Sequence, residues 1–135
     1  MISPSEILNK ISTQINWYGA HSNKATIEQL LDCKDLLVGY NYHLAELMST
    51  YFLNYTKCYY IRKIKVARVK NVLIKNKTAI GTAESIATEQ SANEFEQEVE
   101  NEAMAQRLDN LLRQSNKVVD AISQRVSVLK KEREP

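Results

Sequence analysis

Apolar side chains recur along this chain at intervals of three and four, and the runs of that pattern are broken in few places. Proline occurs only at Pro4 and Pro135 and glycine only at Gly19, Gly39 and Gly81. Almost nothing between them forbids a helix, because these are the residues that interrupt one. The pattern predicts an all-α chain.

The first helix is expected over 3–20. In "SPSE", Ser3 suits the cap, Pro4 the first helical position and Glu6 the reciprocal contact of a capping box. Ile7, Leu8, Ile11, Ile15 and Tyr18 share one side, with Trp17 and Tyr18 as anchors onto the next helix, and "YGAHSNKA" reads as a turn. A long helix follows over 24–76. Its seam runs through Leu30, Cys33, Leu37, Tyr40, Leu44, Leu47 and Tyr51, then drifts to Tyr55, Tyr59, Val66, Val69 and Leu73. A helix of some fifty residues extends to about 75 Å, and Gly39 is its one candidate interruption. A loop and short acidic helix are expected over 77–92, with Thr82 as a candidate cap. The closing helix over 93–132 carries the clearest seam, Leu108, Leu112, Ser115, Val119, Ile122, Val126 and Leu129. The expected architecture is a long helical hairpin with a short N-terminal helix and coiled-coil-like seams, forming a single domain of 1–135. A seam left uncovered by the hairpin would drive self-association.

Charge changes this picture. The net value is only +2, yet Lys57–Lys77 contains eight cationic and no acidic residues, and Thr78–Gln106 contains seven glutamates and no Lys or Arg. The glutamates at 94, 96, 98, 100 and 102 alternate, which on a helix spreads them around the cylinder and suggests a solvated stretch. The cations also wrap around their helix. That suits a backbone-tracking polyanion contact better than a membrane-surface helix, which segregates charge from bulky apolar groups. Nucleic acid is the expected polyanion, with Tyr59, Tyr60, Arg62, Lys63, Lys65, Arg68, Lys70 and Lys75 as candidate contacts. Tyr59 and Tyr60 adjoin the cations and offer stacking surfaces for unpaired bases, whereas Tyr51 and Tyr55 lie on the apolar seam. The structural alternative is neutralisation of the cations by the glutamate-rich segment, although exposed ion pairs contribute only about 0 to 1 kcal/mol each.

Other chemistry finds little support. Cys33 and Cys58 make no short metal-binding spacing and read as reduced, buried thiols. His21 and His43 lie near no ligand cluster, and no nucleophile constellation, phosphate loop or paired carboxylates stand out. A non-enzymatic protein without cofactor or metal is expected. With no signal-peptide pattern and no apolar run of membrane-spanning length, a cytoplasmic location without membrane contact is the default. Arg125 stands beside the closing seam, where pairing with Asp120 or with a neighbouring subunit and ordinary solvation are the alternatives.

The order of elements, with "KVARVK" at 65–70, an "AES.A" turn segment, the acidic stretch and "DAISQRVSVLK" at 120–130, resembles small helical proteins of phage and prophage recombination modules. More distantly, it is similar to recombination mediators of the UvsY type. The resemblance covers most of the chain in layout and some twenty positions in residue identity. It implies a mediator that oligomerises in a ring, holds single-stranded DNA on Lys63, Lys65, Arg68 and Lys70, and helps a recombinase replace single-strand-binding protein. It places assembly on the closing helix, at Leu108, Leu112, Val119, Ile122, Val126 and Leu129. The acidic segment departs from the family's pattern and could shield the basic helix. A coiled-coil adaptor or scaffold of phage origin, without DNA binding, is the alternative of a different class.

Overall fold

The computed structural model describes residues 3–133 and contains four helices, with no strand among those residues. They are α1 (Pro4–His21), α2 (Ile27–Lys75), α3 (Ile80–Gln90) and α4 (Ala92–Arg133).

Each boundary has a local cause. Ser3 Oγ accepts from the Glu6 amide at 3.2 Å while the Glu6 carboxylate accepts from the Ser3 amide at 3.4 Å, closing the capping box at the start of α1. A second box opens α2, where the Gln29 amide donates to Thr26 Oγ1 at 3.2 Å and the Thr26 amide donates to Gln29 Oε1 at 3.0 Å. The long helix therefore starts at Ile27 rather than near Lys24. It runs through Gly39 without a break, since that glycine faces open space and no turn exploits its conformational freedom. Past the end of α2, Lys77 adopts φ 68°, and the Thr78 and Lys77 amides donate back to the Leu73 and Ile74 carbonyls. This is the Schellman arrangement, with a lysine in the left-handed position that glycine usually takes. Helix α3 begins two residues before Thr82, after an Ala79 cap that makes no side-chain hydrogen bond. Thr82 is not the cap.

The chain divides into two compact units. The first takes the described residues up to Met48 together with those from Gln106 onward. Its core is built of Ile7 and Ile11 from α1, Leu30, Cys33, Leu37 and Leu44 from α2, and Leu108, Ile122 and Val126 from α4, all buried. One polar junction sits within it: buried Ser115 donates to Asn41 Oδ1 at 2.7 Å, and Asn41 Nδ2 donates to Asn116 at 3.1 Å. Burial pushes the Cys33 thiol above its ordinary range. Three of the side chains expected to join copies, Leu108, Ile122 and Val126, are thus covered inside one chain, and Leu112, Val119 and Leu129 are half-buried. The closing seam packs intramolecularly.

The second unit, from Ser49 to Ala105, has a different interior. Its buried residues are small or polar, namely Ala83, Ala87, Ser91, Glu98 and Ala105, while Tyr51, Tyr55, Val66, Val69 and Leu73 are half-buried. Of the fourteen exposed large apolar residues among those described, ten belong to this unit, so its apolar surface exceeds what its own packing covers.

Candidate nucleic-acid interface

Within the second unit, contacts between α2 and α4 pair Cys58 with Asn101, Arg62 with Glu98 and Lys65 with Glu94. Numbers rising on one helix and falling on the other define an antiparallel packing. The inward side of α2 is therefore set by the same helical period that carries Val66, Val69 and Leu73.

Three of the eight cations lie on that inward side. Arg62 grips Glu98 with two bonds, Nε to Oε2 at 2.5 Å and Nη2 to Oε1 at 3.3 Å, and Glu98 is only 6% exposed. The bond to Glu98 holds the Arg62 guanidinium more firmly protonated, and its cation lies over the rings of Tyr59 and Phe95 at 5.5 and 5.3 Å. Lys65 donates to Glu94 at 2.7 Å, and Lys70 donates to Glu84 of α3 at 2.8 Å. The alternating glutamates are thus not uniformly solvated. Steps of four bring Glu94 and Glu98 against α2, while Glu96 and Glu100 point outward and are exposed.

The other five cations, Lys57, Lys63, Arg68, Lys75 and Lys77, are exposed and form no ion pair among the described residues. No acidic residue follows Glu46 on α2 to oppose them. Tyr60 is exposed and meets Tyr59 edge-on at 5.4 Å, and Lys63 Nζ lies 5.3 Å from the Tyr59 ring centroid. Of the eight expected contact residues, Tyr60, Lys63, Arg68 and Lys75 therefore share the exposed surface. Arg62, Lys65 and Lys70 are engaged by the chain's own acids, and half-buried Tyr59 is covered by its cationic neighbours.

The Lys65 contact has a pH signature. The hydrogen bond from Lys65, aided by a backbone amide and against some desolvation, holds the Glu94 carboxyl below its usual range. Folded Glu94 thus binds a proton more weakly than in the unfolded chain. Its contribution to stability is complete above the ordinary glutamate value of about 4.3 and is lost as pH falls through the lowered one. Melting temperature followed across acidic pH should fall more steeply for the native chain than for Glu94→Gln. Equal slopes would mean that the Lys65 contact carries no proton linkage.

Elsewhere, Arg125 Nε is buried without a hydrogen-bond partner among the described residues, and no ion pair joins it to Asp120 there. Among those residues no helix is long and apolar enough to cross a membrane, and no group of His, Cys, Asp and Glu could hold a metal ion. Both cysteines are free. No protein-family model, curated protein or solved structure matches this chain.

Proposed function

We propose that this is a non-enzymatic accessory protein of the phage recombination type, holding single-stranded DNA without sequence preference on the outward side of α2. The observation that supports this reading is the split of the cationic stretch: the chain's own glutamates engage three cations and leave five exposed, four on the part of α2 beyond its last acid, Glu46, and Lys77 just past the end of the helix. Lysine and arginine side chains in that position suit phosphate oxygens, and Tyr60 beside them suits an unstacked base. Assistance to a recombinase against single-strand-binding protein would follow from holding the strand in an accessible form.

Five phosphate contacts give a salt dependence of log affinity with a slope near −3.5, from roughly 0.7 per contact on single strands. Replacing Lys63, Arg68 and Lys75 together by alanine should weaken binding to a polythymidine oligonucleotide and flatten that slope by about 2. Replacing Lys70, which is tied to Glu84, should leave the slope unchanged. Fluorescence anisotropy titrations at several salt concentrations read both quantities. Unaltered affinity in the triple variant would refute the surface.

The internal ion pairs favour a second reading, a helical adaptor whose charge blocks fix packing and partner choice. In that case the oligonucleotide would not bind even at low salt.

A further inference from the structure

The second unit carries two exposed rows of opposite character. On α2, Lys57, Ile61, Ile64, Arg68, Val72 and Lys75 follow one another at steps of four, three, four, four and three, so they form one stripe about 27 Å long. All six are exposed, and Ile61, Ile64 and Val72 show 56%, 51% and 58% of their surface. On α4, Ala92, Glu96, Val99 and Ala103 follow at steps of four, three and four, with Glu100 beside them, all exposed and with no Lys or Arg from Thr78 to Gln106. Each row points away from the helix side that carries the internal ion pairs, so the unit is basic and apolar on one flank, acidic and apolar on the other.

We propose that a second copy of this chain docks here head to tail, the α2 stripe of one copy receiving the α4 row of the next. Three observations choose that occupant. Both complementary halves are present on every chain, so no foreign partner is required to match them. The interior of this unit is made of alanines, a serine and a glutamate, which leaves the aliphatic stripe as uncovered apolar surface. A symmetric pairing of two α2 stripes would oppose Lys57, Arg68 and Lys75 to like charges, a costly arrangement that charge complementarity avoids.

The aliphatic residues supply most of the attraction, because rim ion pairs add little, and the charges set direction. Such an interface joins unlike patches. It closes into a ring or continues as a filament according to the rotation between copies. It also uses Lys57, Arg68 and Lys75, so a neighbouring copy and a DNA strand compete for the same cations.

Sedimentation velocity of the full chain at low ionic strength tests this. The native protein is expected to associate. Two charge reversals, Glu96→Lys with Glu100→Lys on one flank and Arg68→Glu with Lys75→Glu on the other, should each weaken association by more than about tenfold. Mixing the two variants should restore it, since each flank then meets an opposite charge, and recovery on mixing excludes misfolding as the cause of the loss. A native chain that stays monomeric, a reversal variant that associates as the native chain does, or a mixture that fails to recover would each overturn the proposal. A Glu96→Gln, Glu100→Gln chain keeps its α2 cations and gains no new one, so loss of its oligonucleotide binding on Lys63→Ala would report the DNA reading independently of assembly.

Discussion

Replacing Arg62 by alanine is expected to cost the protein about 3 kcal/mol, the low end of the range for removing one partner of a buried ion pair. The low end applies because the Arg62 side chain retains 21% exposure, whereas that of Glu98 retains only 7%. Without the guanidinium, a carboxylate is left between helices with neither its counter-charge nor the two bonds that replaced its hydration. Glu98→Ala should be milder, about 1 kcal/mol, since the freed arginine can turn its head to water. Arg62→Met with Glu98→Leu should return close to native stability, as apolar replacements of buried pairs often do. Urea unfolding followed by circular dichroism ranks the three. If the alanine at 62 costs no more than the alanine at 98, the carboxylate does not depend on its arginine.

Leu37→Ala is expected to cost a similar amount, about 3 kcal/mol within a range of 2–5, because the side chain is fully buried and the truncation leaves a cavity. Its neighbour Leu36 is 42% exposed, and Leu36→Ala should stay within about 0.5 kcal/mol. Comparable losses at the two positions would mean that the α2 seam does not define the core of the first unit.

Much of the helical layout was legible, for physical reasons. The cap at Ser3, the scarcity of glycine and proline, and the spacing of Leu30, Cys33, Leu37 and Leu44 by three, four and seven are local properties of the sequence, and those four seam residues are buried. The Thr26–Gln29 box was equally local and could have set the start of α2. What lay out of reach was nonlocal. Whether Lys65 meets a phosphate or Glu94 depends on the register between two helices that brings together residues 29 positions apart in sequence, which no periodicity within one helix reveals. The glutamates at 94–102 look alike in the sequence, and only the packing sorts buried Glu98 from exposed Glu96. The spacing of the closing seam puts it on one face of α4, but spacing alone cannot say whether its partner is the same chain or another copy.

Dividing one lysine-rich helix between an engaged side and an open side gives ionic strength two unequal targets. Contacts sheltered from water, such as Arg62 with Glu98, are screened weakly, whereas exposed cations are screened within a Debye length of about 8 Å at physiological salt. Added electrolyte therefore acts first on what the helix can hold from outside, and only later on the integrity of the molecule itself.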